Sequence, residues 1–78
     1  SDTGNLISVG DRLINYNTCI AEWKTKGCVM VNVTKYSSTT SKIQNMLLEE
    51  LKKSSYEVIQ VVNVPIDTQY LWKNKQKT

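Results

Sequence analysis

Polar and apolar residues change rhythm along this chain, and each change marks an element. Leu6–Val9 and Arg12–Ile14 are short apolar stretches on either side of Gly10-Asp11, a pair suited to a tight hairpin with glycine at the first central position. The second stretch reads on as one strand through Tyr16, Thr18 and Ile20 to Trp23. After a loop at Lys24–Gly27, Val29, Val31 and Val33 alternate with Met30, Asn32 and Thr34, the period of a strand over Cys28–Tyr36. With that loop, Trp23 faces Cys28, Ile20 opposes Val31 and Thr18 opposes Val33, which makes one inward face.

A run of hydroxyls, Ser37 to Ser41, separates this strand from a helical pattern. Ile43, Met46, Leu47, Leu48 and Leu51 form an apolar stripe, while Glu49, Glu50, Lys52 and Lys53 face solvent. Ser41 followed by Gln44 has the spacing of a capping box, in which each side chain satisfies the other's free backbone N–H. Lys52 and Lys53 suit the negative end of the helix dipole, and Ser54-Ser55 stop the helix. Tyr56–Val64 returns as a strand with apolar residues on both parities, the mark of a central strand covered on both faces, and Pro65 ends it. Asp67–Trp72 fits either a short capped helix starting at Asp67, the preferred reading, or an edge strand. The expected fold is therefore α+β, in the order β-β-β-α-β. One long helix packs on a face of a single sheet, a short C-terminal helix follows, and the strands joined through the long helix run parallel with a right-handed crossover.

Composition narrows the possibilities. The chain has 78 residues, 40% of them hydrophobic, so it holds one domain with a thin core. The domain reads as residues 1–72 and a basic tail as 73–78. The formal charge of +3 is carried by that tail, through Lys73, Lys75 and Lys77, because acidic and basic residues balance over the rest. Charge at a chain end is ordinary solvation as readily as a nucleic-acid footprint. No apolar run approaches the ~20 residues of a membrane span, and no signal peptide is visible. In the inferred register Cys19 and Cys28 share a sheet face about 13 Å apart at ~3.3 Å per residue. A disulfide needs Cα atoms within about 7 Å, so two reduced thiols and an intracellular protein are expected. Asn32-Val33-Thr34 also spells a glycosylation sequon, which means nothing in an intracellular strand.

Catalytic chemistry is poorly supplied. The chain has no histidine, the commonest general base and metal ligand. Two cysteines without histidine or a carboxylate cluster make no zinc site, and no phosphate-loop or nucleophile-elbow spacing occurs. The expectation is a protein that is not an enzyme and uses no cofactor or metal. Two sets of residues remain as binding candidates. Lys35, Tyr36, Thr39, Thr40, Ser41 and Lys42 surround the start of the long helix, where free N–H groups and the positive dipole end suit an anion or a partner. Helix capping accounts for some of those hydroxyls, but one cap does not need five. The second set is an aromatic and basic surface formed by Trp23, Tyr70, Trp72, Lys73 and Lys75. Such residues anchor protein interfaces and stack on bases, and in so small a domain they also serve the core.

Tyr16-Asn17-Thr18-Cys19-Ile20-Ala21 and the later Asn32-Val33-Thr34-Lys35-Tyr36-Ser37-Ser38-Thr39-Thr40-Ser41-Lys42 resemble a group of small phage and prophage proteins. Those proteins share a Y-N-T-x-I-A strand and an N-x-T-x-Y-S-x-T-T-S-K strand-to-helix segment. The resemblance spans about a quarter of the chain and implies a mobile-element origin, a sheet-plus-helix domain and residence in the host cytoplasm. It brings no activity. Ile43 stands where members often carry a histidine, which counts against proton transfer at that site. The functional expectation is an accessory protein that binds a macromolecule, foremost a host or phage protein whose activity it modulates or inhibits. Its contact surface would be an exposed sheet face or the Tyr70–Trp72 end. The alternative is nucleic-acid or nucleotide-phosphate binding through Lys35–Lys42 and the tail. Oligomeric state is not legible, and no membrane is expected as a partner.

Overall fold

The computed structural model describes residues 6–24 and 27–71. The chain forms β1 (Leu6–Val9), β2 (Arg12–Asn15), β3 (Thr18–Lys24), β4 (Cys28–Asn32), α1 (Ser38–Lys52) and β5 (Glu57–Val61). The strands make one mixed sheet in the order β1-β2-β3-β4-β5. Neighbours are antiparallel except β4 and β5, which are parallel and joined through α1. The α+β class and the helical crossover follow the hydrophobic pattern.

Four strands precede the helix where the pattern suggested three. Tyr16 and Asn17 both take positive φ, 50° and 66°, between the paired residues Asn15 and Thr18. Two left-handed residues in a two-residue loop are the signature of a type I′ turn. Asparagine tolerates that region and tyrosine rarely enters it, so a Tyr-Asn pair reads as strand. The first hairpin turns at Gly10 (φ 59°), as expected, with Val9 paired to Arg12.

The β3–β4 register differs from expectation by one residue. Lys24 pairs with Cys28, which sets Trp23 against Val29 and Ala21 against Val31. Lys24 therefore belongs to the strand pair and not to the expected Lys24–Gly27 loop, and Gly27 precedes β4 at φ 70°. On the other edge of β3 the pairing slips between Leu13 and Ile14, which face Ala21 and Cys19. Ile20 is the extra residue of this β-bulge and is fully buried.

The register sorts the core into two layers. Ala21, Val29 and Val31 meet Leu51 of α1, with Leu47, Leu48, Trp23 and Val58 packed around them. The opposite face is covered as well. Residues 62–71 run back across it as a strap, and Val64 and Leu71 pack on Ile14, Cys19 and Met30. The Cys19 N–H donates to Thr68 O (2.7 Å), the Asp67 N–H to Thr18 Oγ1 (2.8 Å) and the Leu71 N–H to Glu22 Oε1 (2.9 Å). Arg12 Nη1 donates to Gln69 O (2.7 Å) and lies 4.2 Å above the Tyr70 ring. The expected exposed sheet face is therefore covered over β2–β4, and what stays exposed on the strap side is the β1 margin at Ile7 and Val9.

Three further expectations are corrected. β5 is an edge strand rather than a central one, and its mixed parities serve the helix layer through Val58 and the strap layer through Ile59 and Val61. The helix expected from Asp67 does not begin there. Asp67 lies in a turn at φ 68°, residues 68–70 hold no regular structure, Leu71 is helical, and Trp72 lies outside the described residues. Met46, placed on the apolar stripe, is 64% exposed beside the edge of the sheet.

Truncating a strap residue tests its status as core. Leu71→Ala should lower unfolding stability by about 2–5 kcal/mol in urea titrations. Met46→Ala should change it by less than about 0.5 kcal/mol.

Candidate functional site

The start of α1 is built differently from the capping box read in the sequence. The N-cap is Ser37, with extended backbone (φ −137°, ψ 167°), and its side chain accepts from the Thr40 N–H. Ser41 instead sits inside the first turn, where its N–H makes the first helical bond to Ser37 O (2.9 Å). Gln44 turns away from the helix end, and its Nε2 donates to Asn32 O (2.7 Å) and Thr34 O (2.9 Å). Serine competes for the cap in either position. Tertiary carbonyls that need a donor decide where Gln44 goes.

Asn32 is the centre of this region. Its buried Nδ2 donates to Cys19 O (3.0 Å) and Tyr36 Oη (2.8 Å), and its Oδ1 accepts from the Thr34 N–H (2.9 Å). The Tyr36 hydroxyl donates to Val64 O (2.5 Å), and the Val64 N–H donates to Thr34 Oγ1 (2.9 Å). Sheet, helix and strap are thus tied through one polar seam. Tyr36, a binding candidate by sequence, spends its hydroxyl in that seam.

Beside the seam lies a cleft of about 280 Å³ between the β2–β3 turn, the start of α1 and the strap. Asn15, Tyr16, Thr18, Ser37, Thr40 and Asp67 are among its lining residues, with Tyr36 and Ile66. Thr40 is buried, and its hydroxyl donates to Asn15 Oδ1 (2.9 Å). Asn15 is 2% exposed, and its Nδ2 has no hydrogen-bond partner. Asp67 accepts from Asn17 Nδ2 at 3.3 Å.

Of the residues expected around the helix start, Tyr36 and Thr40 meet at this cleft. Thr39 and Ser41 are half-buried, Lys35 and Lys42 are exposed, and none of these four lines it. In the second set, Trp23 is half-buried against the helix-side core and Tyr70 is exposed beneath Arg12. Trp72, Lys73 and Lys75 lie outside the described residues. Sequence reasoning missed Asn15, Thr18 and Asp67, since the cleft is assembled from three distant segments.

A second surface lies at the opposite edge from β5. Leu6, Leu13, Ile43, Met46 and Leu47, with Glu50, line an apolar groove between β1 and α1. Across β1, Ile7 and Val9 are 54% and 41% exposed.

Both cysteines are free thiols. Burial, helped by nearby Glu22, pushes the Cys19 thiol up to about 11. It is a core residue rather than a nucleophile poised by its surroundings. Among the described residues no group of three potential ligands could hold a metal ion, and no helix is long and apolar enough to cross a membrane. Compared with known proteins, the chain matches no family model, no curated protein and no solved structure.

Two measurements check this account. Ser37→Ala should cost about 1 kcal/mol of stability and Ser41→Ala much less, since only Ser37 caps the helix. The Cys19 thiol ionises near its ordinary value of 9.0 once unfolded and only near 11 when folded. Its contribution to stability is complete below pH 9 and is lost as pH rises toward 11. Denaturation across that window should show a steeper alkaline fall for the native protein than for Cys19→Ala.

Proposed function

We propose that this chain is a small non-enzymatic binding module that docks a protein partner by accepting an extended segment along the open edge of β1. The observation that carries the reading is the unguarded state of that edge. Protein sheets usually protect their edges with charge, proline or a bulge. The β5 edge has Glu57 and Gln60 exposed and Pro65 shortly after it. β1 is Leu6-Ile7-Ser8-Val9, with no charged residue and no proline. The bulge of this sheet lies in β3, away from that edge.

Side-chain chemistry on both faces of β1 supports the same occupant. An added strand would bring backbone groups to the edge for affinity and alternate its side chains between two apolar surfaces for specificity. One surface is the groove at Leu6, Leu13 and Met46, and the other is Ile7 with Val9. In line with the phage-protein resemblance, the partner is a host protein in the cytoplasm, and docking alters its activity. The nucleic-acid reading rests on the charge of Lys35, Lys42 and the tail, and the geometry at the helix start adds nothing to it.

Affinity capture from host lysate, followed by hydrogen exchange on the purified complex, tests the proposal. The expected result is a stoichiometric protein whose binding protects the Leu6 and Ser8 amides, which face away from β2. Ile7→Lys should weaken that binding by about tenfold or more. Its effect on unfolding stability should stay within about 0.5 kcal/mol. The idea fails if no partner is recovered, or if Ile7→Lys binds at full strength with protection elsewhere. Recovery of only further copies of the chain would also refute it.

A further inference from the structure

We infer that the cleft at the start of α1 is a binding site for a neutral, polyhydroxylated ligand of about monosaccharide size. It is separate from the β1 edge, since no β1 residue lines it.

The first support is an amide without a partner. Asn15 is almost wholly buried, lines the cleft, and fixes its Oδ1 on the Thr40 hydroxyl, yet its Nδ2 makes no hydrogen bond. Buried amide groups in folded proteins are nearly always paired, so an orphaned one beside a cavity marks the place of an absent partner. Exchanging the amide oxygen and nitrogen would let Nδ2 donate to Thr40 Oγ1 and leave the oxygen unpaired instead. A hydroxyl serves either arrangement, because it both donates and accepts.

Charge selects the ligand class. Among the described residues, the only charged side chain that lines the cleft is the Asp67 carboxylate, and no lysine or arginine joins it. A phosphate would face that carboxylate without a cation to offset it. A cation would face the positive end of the α1 dipole. A neutral molecule with several hydroxyls meets both walls at once, donating to Asp67 and accepting at the helix start and Asn15. The Ser37, Thr40 and Thr18 hydroxyls, whose protons are directed at Thr40 Oγ1, Asn15 Oδ1 and Tyr16 O, add oxygen lone pairs that can accept from a ligand hydroxyl. Tyr16, 54% exposed, supplies an aromatic ring on the same wall, against which the C–H face of a sugar ring can pack. The volume of about 280 Å³ falls at the lower end for small-molecule sites and fits one ring.

Amide NMR titrations of the full chain with D-glucose, D-galactose, D-mannose and N-acetyl-D-glucosamine test the inference, with inorganic phosphate as the control. Titrations to about 50 mM reach the weak affinities such sites show. At least one sugar should saturably shift the Asn15 side-chain amide together with the Thr40 and Asp67 backbone signals, and phosphate should not. Asp67→Asn and Tyr16→Asn should each weaken that sugar by about tenfold, with the folded spectrum retained. Both positions have positive φ, which asparagine accepts, so these variants keep the turn geometry. The inference is overturned if no sugar shifts these signals and the cleft holds ordered water alone. Shifts produced only by phosphate, or unchanged sugar affinity in both variants, would equally overturn it.

Discussion

The buried side chain of Asn32 holds the parts of this protein in their mutual positions. A primary amide inside a domain is costly unless its polar atoms are paired, and here both donor bonds and the acceptor bond are made. Its backbone oxygen is also used, by Gln44 of the helix. One residue at the end of β4 therefore reaches β3 through Cys19, the helix through Gln44 and the strap through Tyr36. The start of α1 cannot move against the sheet without breaking that set. This constraint is why a cleft exists beside it, with walls from three segments held at fixed separation.

Both faces of the sheet are occupied, one by α1 and one by the strap, and this determines where anything else can bind. Among the described residues, the remaining free boundaries are the strand edges, with the exposed Ile7 and Val9 side of β1, and the end where turn, helix start and strap converge. The edges are not equivalent. β5 exposes a carboxylate and an amide, whereas β1 exposes only hydrocarbon and one serine. The cleft is polar and modest in size, and the β1 groove is apolar and adjoins a strand edge that no other described strand pairs with. They suit different kinds of ligand.

Much of the architecture was legible in the sequence because period is a strong signal. Alternation at Val29–Val33 and the stripe from Ile43 to Leu51 located β4 and α1, and the Val/Ile-rich segment located β5. What was lost depended on single residues in unusual roles. Tyr16 in a left-handed turn concealed a hairpin, since tyrosine belongs in strands by preference. One residue fewer in the loop before Cys28 shifted the β3–β4 register, a change invisible to a pattern of period two until pairs are known. The strap has no regular structure over residues 62–70 and so no periodicity to read. The candidate site suffered most. Thr40 looked like a surplus hydroxyl because its partner Asn15 lies twenty-five residues away, and Gln44 matched a local motif while serving a distant carbonyl.

The strap has a consequence for how the fold is reached during synthesis. All four strands of the antiparallel part lie in residues 6–32, so their local hairpins can form before the helix and the strap are in place. Met30 and Cys19, both completely enclosed in the finished protein, have no cover on their side until residues 64–71 emerge. During that interval the incomplete sheet presents a greasy face to water, and the Asn32 amide awaits Tyr36 and, beyond it, Val64. Agents that slow the last segment's arrival would prolong the period in which the protein is most prone to aggregate.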